Sequence, residues 1–310
     1  MNDNELSYQP SRIVTVAAEQ AGQRIDNFLF NQLKHIPKTR IYKMLRKGEV
    51  RVNKGRIKPV YKIQPGDQIR LPPVQMKENI NKLSPSLDRV RSLEQRIIYE
   101  SDRLIILNKP SGIAVHGGSG DSFGVIESLR ALRPDASFLE LVHRLDKLTS
   151  GCLMIAKRRS TLRYLHEQLR ERRIRKTYLC WVHGDWKESN VTVNKPLSVM
   201  KFKNGDRRAV VDDAGKPSKT VFRRLKGDSN YTLLQASPHT GRMHQIRVHC
   251  ASHGHAICGD SKYSDNPKQA DSIDRLYLHA HKLVFSETPD SELKEISCKS
   301  ASFEKFLVKK

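Results

Sequence analysis

The sequence predicts an α+β protein in two units, and three observations carry that reading. Strand-like segments outnumber helical ones, and they do not alternate regularly with helices as in a doubly wound sheet. The 310 residues amount to about two domains. A stretch without a sustained apolar period, holding Pro72-Pro73 and Ser84-Pro85, separates a short basic segment from a longer one. The expected organisation is a tail and short strand over 1–21, a small unit over 22–81, a linker over 82–95 and a larger unit over 96–310.

The elements follow in chain order. A short strand is expected at Ile13–Val16. A helix begins near Gln23, because Ile25, Phe28, Leu29 and Leu33 recur with a helical period. Pro37 opens a second helix that buries Ile41, Met44 and Leu45 and ends at Gly48. Short strands are expected at Glu49–Asn53, Val60–Ile63 and Gln68–Leu71, around turns at Lys54-Gly55 and Pro65-Gly66-Asp67. The larger unit opens with a strand pair, Arg96–Tyr99 and Leu104–Asn108. A loop, Lys109-Pro110-Ser111-Gly112, comes next, and then a helix over about Phe123–Arg133, stopped by Pro134. Leu139–Asp146 alternates like a strand, with Arg144 and Asp146 on one face. Further strands are expected at Gly151–Lys157, Thr177–Gly184, Thr220–Leu225, Tyr231–Ser237 and Leu276–Phe285. Ser160 caps a helix reaching Arg173. Thr240 caps another, from about Arg242 to His253, and on it Arg242 and Arg247 fall on different faces. Phe303, Phe306 and Leu307 suggest a closing helix.

Charge narrows the function. Lys plus Arg number 56 against 33 Asp plus Glu, a net charge of +23 that points to a polyanionic partner. Eleven basic residues and one acid fall between Lys34 and Lys62, among them Lys38, Arg40, Lys43, Arg46, Lys47 and Arg51. Nine more fall between Lys157 and Lys176. A solvated face is the plain reading of either run, but two such runs favour nucleic acid, because each neutralised phosphate releases counterion. The basic segments lack the bulky apolar face of an interfacial helix, and no long apolar run exists, so no membrane partner is expected. The N-terminus has no signal-peptide pattern, and five scattered cysteines form no C-x-x-C pair, so a reducing cytoplasm is expected.

Chemistry could reside in a few places. His116-Gly117-Gly118-Ser119-Gly120 lacks the Gly-Lys-Ser/Thr ending of a phosphate loop, and a turn-rich loop suits it better. His249, Cys250, His253, His255 and Cys258 lack the paired spacing of structural zinc sites, so no metal is expected. In Arg144-Leu145-Asp146, the guanidinium could hold an ionised carboxylate as a nucleophile. The same residues could equally cap a turn or form a structural ion pair. Tyr178 reads first as core, and His244 and Gln245 as ordinary polar surface.

Leu141-Val142-His143-Arg144-Leu145-Asp146 with Thr149-Ser150-Gly151 resembles the HRLD…TSG signature of RluA-type pseudouridine synthases. Asn108–Gly112, Lys176-Thr177-Tyr178 and Gly241–His249 resemble that family's other motifs, in the same order and at matching spacing. Gln23–Leu71 resembles an S4 RNA-binding domain, and the full-length pattern is nearest the members that act on large-subunit ribosomal RNA. The resemblance implies a synthase domain on a mixed, mainly antiparallel sheet with flanking helices. It implies isomerisation of uridines within 23S ribosomal RNA or a large-subunit ribosome precursor, by a monomer without cofactor. Asp146 would be the nucleophile, attacking C6 of the base or C1′ of the sugar. Arg144 would help expel or replace the flipped base, Arg247 would pair with Asp146, and Tyr178 would stack below the uracil and assist removal of the C5 proton. Lys109 would be structural, and Arg242 would contact RNA.

Overall fold

The computed structural model describes residues 6–33, 36–77, 92–117, 123–202, 205–264, 273–300 and 303. Lys34, the end of the glycine-rich loop at Gly118–Gly120, most of the expected linker, and Phe306 and Leu307 lie outside the described residues. The chain forms two units, 1–84 and 85–310.

The first unit is built on strands β1 (Leu6–Gln9), β2 (Arg12–Thr15), β3 (Arg51–Val52), β4 (Gln68–Leu71) and β5 (Val74–Lys77), with helices α1 (Ile25–Gln32) and α2 (Lys38–Lys47). Strands β2, β4 and β3 form one antiparallel sheet, and β1 pairs with β5. Phe28 and Leu29 of α1 meet Ile41, Met44 and Leu45 of α2 over Ile63 and Ile69 in a continuous apolar core. Alternation on β4 buries Ile69 and Leu71 and exposes Gln68 and Arg70. The expected strand at Val60–Ile63 is reduced to a single bridge between Arg24 and Lys62. Gly48 ends α2 at φ 70°, where its N–H donates to Leu45 O and the next N–H to Met44 O.

The second unit centres on a ten-stranded sheet. It contains β6 (Ile97–Glu100), β7 (Leu104–Lys109), β8 (Glu140–Leu141), β9 (Ser150–Ala156), β10 (Arg175–His183), β11 (Asn190–Asn194), β14 (Lys219–Gly227), β15 (Tyr231–Pro238), β16 (Leu278–Phe285) and β17 (Lys294–Ser297). The path runs β11-β14-β15-β10-β16-β9-β7-β6, with β8 on β9 and β17 on β16. A separate hairpin holds β12 (Leu197–Lys201) and β13 (Arg207–Val211), and the helices are α3 (Val125–Leu132), α4 (Arg159–Arg170) and α5 (Gln245–Ala251). Every residue of β9 is buried, as a strand covered on both faces requires.

Four further expectations change here. Leu139–Asp146 is not one strand: only Glu140–Leu141 pairs, with Ala156 and Ile155, and Asp146 lies in the following loop. Alternation is a local signal, whereas pairing needs a free edge, and the edge of β9 that Glu140–Leu141 occupies is taken by β16 at Ser150 and Gly151, with β7 along the other edge. Helix α5 starts at Gln245, so Arg242 sits in the loop ahead of it and does not share its faces with Arg247. Thr240 caps nothing; its hydroxyl donates to the Gln245 side chain. Likewise Ser160 is not the cap of α4, whose N-cap position is Arg158.

One junction positions the site. Strands β9 and β16 run parallel, matching Ser150 with His279 and Gly151 with Ala280, and Tyr178 of β10 faces Ala280 from the other side. Gly151 has φ 108°, and a Cβ there would lie 2.2 Å from Ala280 O. Only glycine allows this approach. Gly151→Ala is expected to destabilise the protein by about 2 kcal/mol or more. Denaturant unfolding of the two proteins measures this.

Candidate active site

Asp146 occupies the turn that links β8 to β9. Its own carbonyl accepts from the Thr149 N–H at 3.1 Å, so the turn closes through backbone and leaves the carboxylate free of capping duty. The turn is held from below by Lys109, whose side chain is fully buried. Its Nζ donates to the carbonyls of Pro110, Ile113 and Lys147 at 2.8–3.0 Å. Burial pushes this ammonium down to about 7, while the Asp146 charge pulls it up. Three carbonyl acceptors match the three hydrogens of the protonated form, which is the form that leaves no buried donor or acceptor unpaired. Ser111 Oγ donates to Leu148 O at 2.6 Å and Gly112 N–H to Lys147 O at 2.9 Å. The Asn108–Gly112 motif thereby staples the Asp146 turn in place.

The carboxylate faces two basic side chains. Arg247 Nη1 and His244 Nε2 each lie 3.9 Å from Asp146 Oδ2. Arg247 comes from the first turns of α5 and is 3% exposed. Its Nε and Nη2 donate to the two oxygens of the fully buried Asp260 at 2.8 and 2.7 Å. Such a fork fixes the guanidinium plane, and the Tyr263 ring lies 5.0 Å away against it. The remaining Nη1 is the one turned to Asp146.

His244 stands just before α5 in the left-handed region, at φ 50°. Tyr263 Oη accepts from the Ala209 N–H at 2.9 Å and lies 2.7 Å from His244 Nδ1. This contact holds the imidazole with Nε2 toward Asp146. Burial lowers the His244 pKa, against the pull of Asp146.

Tyr178 lies beside these residues on β10. Burial, and secondarily the Asp146 charge, raise its phenol well above the ordinary value. Arg144, Asp146, Tyr178, Arg242, His244 and Arg247 line one cleft of about 120 Å³. That is room for a single small ring rather than a larger ligand. Arg144 and Arg242 are exposed at its mouth, and Asp146 is 35% exposed.

The structure thus brings together Asp146, Arg144, Tyr178, Arg247, Arg242 and, beneath them, Lys109. His244 and Asp260 join them unforeseen. His244 stood inside a quoted motif, but its left-handed backbone leaves no periodic trace. Asp260 could have been suspected only as the counter-charge that a buried arginine requires. Of the other candidates, His249 bonds Thr220 Oγ1 and Lys195 O, and His255 bonds His183 O, each within the fold. In the first unit, Lys38, Arg40, Lys43, Arg46 and Lys47 are exposed along α2, and Arg51 is half-buried. Arg40 pairs with Glu49 at 3.1 Å, and Arg51 reaches the Gly48 and Lys54 carbonyls.

Behind the site, Arg275 Nη2 donates to Ser150 Oγ at 2.6 Å, which lies 2.8 Å from His279 Nδ1. His279 Nε2 donates to Cys298 O at 3.1 Å, so Nδ1 is the acceptor for the Ser150 hydroxyl. Burial holds the His279 pKa down at about 4.

A family model described as RNA pseudouridylate synthase matches residues 103–252, and an S4 domain model matches residues 23–69. The chain is 52% identical over 292 residues to the ribosomal large subunit pseudouridine synthase C of Salmonella typhimurium, covering 92% of each. It is 51% identical to the protein of that name from Escherichia coli K12, again over 92% of each, and 52% identical to that of Haemophilus influenzae, over 91% of this chain and 89% of the other. Among solved structures, human RNA pseudouridylate synthase domain containing 4 aligns with TM-score 0.59 and 26% identity, over 71% of this chain and 95% of that one. The chain belongs to the RNA pseudouridylate synthase family and carries an S4 domain ahead of the synthase fold.

Two outcomes are expected from this geometry. Asp260→Asn should destabilise the protein by about 3–5 kcal/mol, because it strips a buried guanidinium of its charge partner; chemical denaturation measures it. Between pH 6.5 and 4, an unfolded chain protonates His279 and the folded chain does not, so stability falls as pH falls. The slope attributable to one proton is about 1.4 kcal/mol per pH unit. His279→Gln should remove that share of the slope, read from urea unfolding across the window.

Proposed function

We propose that this protein converts uridines of 23S ribosomal RNA, free or in a large-subunit precursor, to pseudouridine in the cytoplasm. We read it as a monomer and Asp146 as its nucleophile. The observation that carries the reading is the Asp146 carboxylate, reachable from solvent at the mouth of a ring-sized cleft and set between Arg247 and His244. The relatives named for large-subunit ribosomal pseudouridine synthesis supply the substrate class.

A paired base cannot enter this cleft, so the target nucleotide must be turned out of its stack. Arg144, exposed at the mouth, fills the space the base leaves. Asp146 Oδ then forms a covalent bond to the nucleotide and the N1–C1′ bond breaks. The uracil turns, the C5–C1′ bond forms, and the aspartate is released. A proton leaves C5 and N1 takes one up, so the balance needs no oxidant or energy source. Arg247 and His244 hold the carboxylate's charge before attack and after release. Tyr178 walls the cleft under the ring. Its phenol stays protonated at neutral pH, so the freed Asp146 carboxylate is the better acceptor for the C5 proton. The exposed cations of α2 engage RNA phosphates, which position without reading sequence.

Asp146→Asn should reduce pseudouridine formation in transcribed large-subunit rRNA by about 10³-fold or more, with RNA affinity retained. Mass-spectrometric nucleoside analysis and filter binding measure the two quantities. Undiminished isomerisation by the variant, or release of free uracil by the native protein, would defeat the assignment.

A further inference from the structure

A second, larger groove of about 590 Å³ opens beside the cleft and shares Lys176, Pro238, Thr240, Gly241 and Arg242 with it. Its other cations, Arg170, Arg172 and Arg175, come from the end of α4 and the start of β10, and no carboxylate lines it. All three are exposed, and among the described residues none has a carboxylate partner. The intervening Arg173 does, pairing with Glu171 at 3.1 Å. Gathering unpaired arginines in one concavity raises their mutual repulsion, which an anion relieves.

Arg172 adds an independent observation. Helix α4 ends like α2: the Arg172 N–H donates to Leu169 O and the Arg173 N–H to Gln168 O, the counterparts of the Gly48 and Glu49 bonds. The left-handed residue of this motif is glycine in α2, at φ 70°, and arginine in α4, at φ 60°. A side chain at that position is disfavoured by its Cβ. A long cation kept there against backbone preference, and aimed into a groove of cations, points to a bound ligand.

We propose that this groove seats phosphates of the RNA strand adjoining the everted uridine, with Arg172 and Arg175 as phosphate ligands. The proposal rests on reading the Asp146 cleft as the uridine site, because the shared wall leads a strand from one into the other.

Full-length protein tests it with Arg172→Gly and Arg175→Gln. Arg172→Gly relieves the helix end and should unfold at or above the native temperature. On a uridine-containing RNA hairpin, the slope of log affinity against log potassium chloride should become shallower by about 0.7–0.9 for each variant. On transcribed large-subunit rRNA, KM should rise several-fold with kcat retained. A native salt slope in both variants would overturn the groove whatever the activity, as would loss of affinity with the slope unchanged. Absence of pseudouridine formation by the native protein would overturn the reading of the cleft, and the salt slope would still decide the groove.

Discussion

The site depends on how one guanidinium is divided between two carboxylates. Asp260, fully buried, takes Nε and Nη2 of Arg247 and leaves Nη1 for Asp146. Were Asp260 absent, Arg247 would be drawn into a direct pair with Asp146, which would weaken that carboxylate for the nucleophilic role proposed for it. With Asp260 present, the arginine is already satisfied and offers Asp146 charge at 3.9 Å rather than a closed fork. The carboxylate stays open and close to solvent.

The same division explains the two populations of cations in the larger unit. Lys109 and Arg247 are buried, and each is partnered within the protein, one hydrogen-bonded to three carbonyls and the other ion-paired with Asp260. They shape the site from within the protein. Arg144, Arg170, Arg172 and Arg175 are exposed, with no carboxylate partner among the described residues. Burial therefore sorts these cations into a structural share and an exposed share without carboxylate partners among the described residues.

How much of this could be read from residue order differs by element. The helices of the small unit and the long strands β9, β10 and β15 were legible because their apolar period survives along the chain. The α+β class followed from their irregular succession. Asp146, Arg144, Tyr178 and Arg247 were legible only through resemblance; periodicity alone set Asp146 on a strand, and it lies in a turn. The hairpin β12–β13 and strand β11 went unread, since their alternating residues are partly exposed and carry a weak signal. His244 and Asp260 depend on contacts between segments that the order of residues does not encode locally.

The turn that carries Asp146 is a consequence of the sheet rather than an insertion into it. Strand β9 pairs parallel with β16 at its first residues and antiparallel with β7 along its length, so the segment that leads into it finds no free edge there and must leave the ladder as a turn. Backbone groups at that end need partners, and the Lys109 ammonium, Ser111 and Gly112 supply them to Lys147 and Leu148. The cost of ending a buried strand is thus met by the first motif, and the freed turn can present a side chain at any angle the staple dictates. A regular strand would have locked Asp146 to one face at a fixed spacing. The departure from regularity is what lets a carboxylate from β9's approach meet an arginine from α5 across one cleft.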